Sequence, residues 1–247
     1  MKASDTIGRA VCRDSKDREN SLEDMLYLFL ITSFDSDEVI IISPWLSSFR
    51  LSRRIVYYPY ISSDAIDDVL KSLVDSGTKV YIAARCFDFI DYELLVLANG
   101  VINGSLPPRH GMIGYVRQSI EELRDRTNAL LRFSQIPGIE FRFDVDQRLH
   151  SKVYVNDFMV LIGSANLTYS GIYRNLECLY MIPKEEKSYP ELRNYAKTLL
   201  DEIATYDSCE KSVLGFTNSF LNLKLSSLRE LVVFLDKIVR KISILES

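Results

Sequence analysis

The chain has 247 residues, with 30 Lys and Arg against 34 Asp and Glu, a formal net charge of −4, and 47% hydrophobic residues. That composition excludes disordered, fibrous and low-complexity classes. The acidic balance excludes a protein that coats nucleic acid through bulk positive charge, so any polyanion site is local.

The opening segment, residues 1–20, is polar and lacks the apolar core of a secretory signal. No apolar run approaches the roughly 18 residues of a membrane span. Cys12, Cys86, Cys178 and Cys209 are too scattered for a zinc site or a dense disulfide framework, so reduced thiols and a cytoplasmic location are expected.

Ser21 with Asp24 three residues on suggests a capping box, and helical spacing continues from about Leu22 to Phe34, including the apolar stretch Met25 to Ile31. Glu38 to Trp45 is a β-branched run closed by Ser43-Pro44, which predicts a strand buried on both faces. Ile61 to Ser76 carries apolar residues at a helical period and stops at Gly77, and Lys79 to Ala84 predicts a second buried strand. Strand, helix and strand form a βαβ unit with a right-handed crossover.

Arg50, Arg53 and Arg54 precede Tyr57, Tyr58 and Tyr60 after the first strand. They suit a phosphate backbone and stacked bases, or a solvated loop with buried aromatics. Arg85 to Pro108 shows no clear period and holds Asn-Gly twice, predicting a long excursion from the sheet. His110, beside Arg109, either touches substrate or is a solvated loop histidine. Ile113 to Phe133 predicts a helix on which Arg117, Arg124, Arg126 and Arg132 alternate with acids, as ion pairs on a wet face.

Ile139 to Phe143 alternates like a strand. Leu149 to Val155 and Phe158 to Ile162 predict two strands joined tightly through Asn156-Asp157. A strand over Leu176 to Ile182 and a helix over Tyr189 to Ile203 follow. Near the C-terminus, Ser227 and Glu230 form a capping box ahead of two apolar rows, Leu228, Val232, Leu235, Val239, Ile242 and Leu231, Phe234, Ile238, Leu245. So broad a stripe predicts burial against its own domain, a dimer mate or a protein partner.

The chemistry concentrates in His150-Ser151-Lys152, Asp157 and Gly163-Ser164-Ala165-Asn166. A chance match to that pattern is on the order of one in 10⁵. In a strand of period 2, His150 and Lys152 would share a face. An imidazole can attack or shuttle a proton near neutral pH, while an ammonium and an amide can neutralise phosphate oxygens. No carboxylate or histidine cluster in the sequence suggests a metal site, so chemistry without metal or other cofactor is expected.

These residues resemble the signature of the phospholipase D superfamily, an HKD motif followed by GSxN. Ser43-Pro44-Trp45-Leu46-Ser47, and Asn175-Leu176-Glu177 after Ser170-Gly171, extend the likeness over roughly Glu38 to Ile182. The resemblance implies an α/β fold with a mixed β-sheet flanked by helices on both faces. It divides the chain into a polar segment at 1–20, a phospholipase D-like domain at 21–206 and a helical extension at 207–247.

By the same resemblance, His150 would be the nucleophile or acid, Lys152 and Asn166 would hold the phosphate, Ser164 would assist, and Glu177 would orient the histidine. Asp157 and Gly163 would be structural parts of the motif, and Arg50, Arg53 and Arg54 are candidates for substrate binding. The family's reaction uses two histidines, yet the motif occurs once here and His110 lacks a following Lys. A homodimer with a composite site is therefore expected. A nuclease acting on DNA or RNA is the first functional expectation. The alternatives are a phospholipid hydrolase or transferase, and a nucleic-acid-binding subunit that docks through its terminal helix.

Overall fold

The computed structural model describes residues 9–12, 21–85, 87, 89–105, 112–144 and 148–246. In chain order, β1 (Arg9–Cys12), α1 (Ser21–Ser33), β2 (Glu38–Ile42), β3 (Arg50–Tyr57), β4 (Ile61–Ala65), α2 (Ile66–Asp75) and β5 (Lys79–Arg85) come first. Then follow α3 (Phe89–Ile102), α4 (Met112–Ser134), β6 (Ile139–Asp144), β7 (Val153–Val155), β8 (Met159–Gly163), α5 (Tyr169–Tyr173) and β9 (Cys178–Pro183). α6 (Tyr189–Glu202), β10 (Ala204–Thr205), α7 (Tyr206–Leu221) and α8 (Leu228–Glu246) complete the chain.

Eight strands form one mixed sheet in the order β1-β9-β8-β7-β2-β5-β6-β10. Its centre, β2, β5 and β6, is parallel, and β7, β8, β9 and β1 continue antiparallel from β2. β2 shows why its sequence is a continuous β-branched run. Val39 and Ile41 enter the larger core with residues of α1, α2, α4 and α8, while Ile40 and Ile42 face α6 through Ala196 and Leu200. Both faces of the strand are thus dry.

The broad stripe of α8 is covered by its own chain. Leu228, Leu231, Leu235, Ile238 and Ile242 are buried in the main core, where α8 packs along α4. Half of the expected capping box forms: the Glu230 N–H donates to Ser227 Oγ, while the Glu230 carboxylate accepts the N–H of Ser226, one residue before the cap, at 2.7 Å. Leu245 of the second row is exposed.

Four sequence expectations need correction. Residues 50–65 form a two-stranded hairpin, β3–β4, so the helix begins at Ile66 instead of Ile61. Leu51 and Ile55 face inward there, and the hairpin turns over a stack of Phe34, Tyr57 and Tyr60. The excursion after Arg85 contains α3, whose period is blurred because Tyr92, Leu95, Ala98 and Val101 are buried while α4, α7 and α8 all contact the helix. The strand predicted from Leu149 begins only at Val153.

The fourth correction concerns the thiols. The first twenty residues contain β1, and Cys12 stands opposite Cys178 in the β1–β9 register, where the two form a disulfide. A sequence separation of 166 hides that pairing, because only the sheet order brings the two positions together. Cys86 and the His110 segment lie outside the described residues.

Candidate active site

The site loops sit at the end of the sheet where parallel strands β2 and β5 finish, the usual place for ligands in α/β sheets. Ser43, fully buried just after β2, donates its hydroxyl to the Trp45 carbonyl at 2.7 Å and accepts the Leu167 N–H at 2.9 Å. One hydroxyl therefore joins the Ser-Pro-Trp loop to the GSxN loop. Ser47 adds a second seam: its N–H donates to Leu167 O, and its hydroxyl accepts the Tyr169 N–H. Beneath, buried Tyr154 donates to the Ala165 carbonyl at 2.7 Å, and burial above all raises its pKa so that the phenol stays a donor.

Gly163 lies so close to Cys178 O that a Cβ would collide with that carbonyl, and its N–H donates to Lys152 O at 3.2 Å. The glycine thus lets the GSxN turn lie against both β9 and the HxK segment. Ser164 exchanges two hydrogen bonds with Cys178, donating from its N–H and accepting at Oγ. Gly171 has a like role, since a Cβ there would press on Asn166 O.

His150 is exposed and precedes β7, outside any regular strand, so the expected strand alternation does not set its orientation relative to Lys152. Lys152 instead folds back, its Nζ donating to the His150 carbonyl at 2.8 Å. Partial burial lowers the Lys152 pKa; nearby Glu177 opposes this, while the Arg85 cation adds to it. Glu177 and Arg85 therefore both act on the Lys152 ammonium. Glu177 accepts a hydrogen bond from Asn175 at 3.3 Å. Asn166 accepts the Trp45 N–H through Oδ1, and its amide nitrogen donates to no group among the described residues.

Asp157 lies at the far end of β7. It accepts the Asp37 N–H and pairs with Arg193, each at 2.6 Å. Arg50 and Arg53 pair with Asp64 and Asp24 on the β3–β4 side of the molecule, and Arg54 is exposed there. None of the three lines the groove beside Asn166.

That groove, of about 820 Å³, runs between α4, α5 and the Ser47-Ser48 loop. Arg126 and Arg132 of α4 line it, as do Trp45, Tyr169 and Arg174. Arg117 and Arg124 do pair with Glu121 and Asp125, but Arg126 turns inward to Asp91 and the Trp45 ring. The ion-pair pattern of α4 concealed these residues. The usable signals were the lone Trp after the first parallel strand and Arg85 at the end of the next.

A family model described as cardiolipin synthase, PLD-like domain, matches residues 51–200, a span that includes His150, Lys152, Asp157, Asn166 and Glu177. No curated protein matches the chain. Among solved structures, NucT from Helicobacter pylori is similar at a TM-score of 0.47 and 14% identity, over 81% of this chain and 99% of that one. The phospholipase D family member Nuc from Salmonella typhimurium gives 0.48 and 16%, with the same coverage. The phosphatidylserine synthase of Haemophilus influenzae Rd KW20 gives 0.48 and 11%, over 94% of this chain and 45% of that one.

Proposed function

The chain belongs to the family of phospholipase D-like domains, and from that premise we propose that it is a metal-independent phosphodiesterase that cleaves nucleic acid. The observation that supports this most is the place of Lys152, whose ammonium reaches the His150 main-chain carbonyl while its own carbonyl accepts the Gly163 N–H of the GSxN turn. Arg85 acts on Lys152, and the amide nitrogen of Asn166 donates to no group among the described residues.

In this reading the neutral His150 imidazole attacks phosphorus, forming an N–P bond as the P–O bond to the leaving strand breaks. Lys152 and Asn166 hold the non-bridging oxygens, whose charge grows in the transition state. The leaving oxygen takes a proton from a second imidazole, and water then displaces the histidine, returning that proton. One chain supplies one HxK, so the second imidazole is His150 of another copy in a two-fold dimer. Exposed Leu176 and Tyr180, flanking Glu177, would then be covered by the second copy.

Nucleic acid is preferred to lipid because the groove beside Asn166 combines aromatic rings, Trp45 and Tyr169, with the guanidiniums of Arg126, Arg132 and Arg174. Among the described residues, no helix is long and apolar enough to cross a membrane. The test is incubation of the purified protein, in excess chelator, with labelled single- and double-stranded DNA, RNA and a phospholipid. Cleavage of a nucleic acid is expected. Hydrolysis of the phospholipid alone would replace this reading with the lipid one, and binding without cleavage would reduce the chain to a nucleic-acid-binding subunit.

A further inference from the structure

The groove beside Asn166 carries more than phosphate chemistry requires. Two aromatic rings in its wall each lie under a guanidinium: Arg126 is 4.2 Å from the centre of Trp45, and Arg174 is 5.1 Å from that of Tyr169. Tyr169 is 44% exposed. It is also braced: Tyr173 packs on it at 5.0 Å, and the Tyr173 hydroxyl donates to buried Glu23 at 2.7 Å.

Three guanidiniums and three carboxylates line the groove, so its formal charges balance and their placement decides what it can hold. Asp91 is paired with Arg126, Glu122 accepts from Gln118 at 3.1 Å, and Asp125 accepts from Arg124 at 2.8 Å. Arg132 is half exposed, with Asp67 at 3.6 Å, and Arg174 has no carboxylate partner among the described residues. Asp91 and Asp125 are thus held by arginines, Arg132 is loosely paired at the rim, and the Arg174 guanidinium faces no carboxylate among the described residues. Ser47, Ser48, Asn128, Thr168, Ser170 and Asn175 add polar groups to the wall beside Leu46 and Ala129.

Resting on the nuclease reading, we propose that this groove is a subsite for unpaired nucleotides beside the scissile phosphate. Tyr169 with Arg174 is the platform on which one base stacks, and Arg132 and Arg174 contact the backbone. Aromatic and guanidinium planes bind any base through its π-face, but a duplex keeps those faces stacked inside. The subsite therefore selects single strands over duplex without reading sequence.

The experiment measures binding of the full chain to a short labelled oligonucleotide with phosphorothioate linkages that resist cleavage, and to its duplex form. Single strand is expected to bind more tightly than duplex. Tyr169→Ala should weaken single-strand binding roughly tenfold and spare duplex binding, whereas Tyr169→Phe, which keeps the ring, should bind like the parent. Arg174→Ala should lower the salt slope of binding by about one. Equal affinity for both forms, or a Tyr169→Phe loss as large as that of Tyr169→Ala, overturns the subsite while leaving the nuclease reading intact. Failure of the parent protein to bind either form overturns the nuclease reading itself.

Discussion

β7 is three residues long, yet the motif it carries ends in two opposite environments. At its far end Asn156 is fully buried with its polar atoms engaged. Its amide nitrogen donates to Phe29 O at 3.0 Å and contacts Thr32 and Ser33, its Oδ1 accepts from Phe158 and Met159, and its carbonyl accepts the Tyr189 hydroxyl. Asp157 beside it pairs with Arg193. At the near end His150 is exposed, and among the described residues the Lys152 ammonium donates only to a backbone carbonyl. One end spends its polar groups on the fold, while the other, in the proposed reading, keeps them for a ligand. The comparison teaches that a short motif can hold two functions, distinguishable by how far each side chain is already satisfied.

The largest effect expected from this contrast is on turnover. His150→Ala should lower kcat by at least 10²- to 10⁴-fold, while thermal denaturation shows a stability within about 0.5 kcal/mol of the parent, as for an exposed position. Next, Lys152→Ala should cost about 10²- to 10³-fold in kcat. Its pKa is lowered by partial burial and by Arg85 against Glu177. The charged form needed for phosphate is therefore lost earlier as pH rises, and kcat/KM should fall at a pH below that of an ordinary lysine. Lys152→Arg should move that alkaline limb upward, and an unmoved limb would show that another group sets it.

At the far end the effects should fall on stability alone. Asn156→Ala leaves the Phe158 and Met159 N–H groups and the Phe29 carbonyl without this partner, at a cost on the order of 3 kcal/mol in urea unfolding. The kcat of the folded fraction should not change. Asp157→Asn keeps the shape and weakens one partly buried ion pair, so a loss of only about 1 kcal/mol is expected, again with kcat unchanged. A fall in kcat for Asp157→Asn comparable to that of His150→Ala would erase the distinction between the two ends.

The parts legible in the sequence are those set by local pattern. β2 and β5 read as continuous apolar runs because both of their faces are covered, and the HxK and GSxN segments stand at fixed spacing. What escaped depends on contacts distant in sequence. β3 and β4 were hidden because their apolar residues pack on α1 and α2 at irregular intervals, with a register shift between Arg50 and Ile55. The Cys12–Cys178 bond depends on β1 reaching the outer edge of the sheet beside β9. The groove was illegible because Arg126 and Arg132 sit in a charge pattern typical of a solvated helix, and only the approach of α4 to Trp45 and Ser48 gives them another use.

The central claim is that His150 becomes covalently bonded to phosphorus. Its most direct test is rapid mixing with an oligonucleotide substrate in excess chelator, quenching without acid, and peptide mass spectrometry. The account predicts cleavage in chelator and a nucleotidyl-phosphate adduct on the peptide containing His150, absent from His150→Ala. Steady cleavage with no adduct on His150, or cleavage that chelator abolishes and a divalent metal restores, would contradict it.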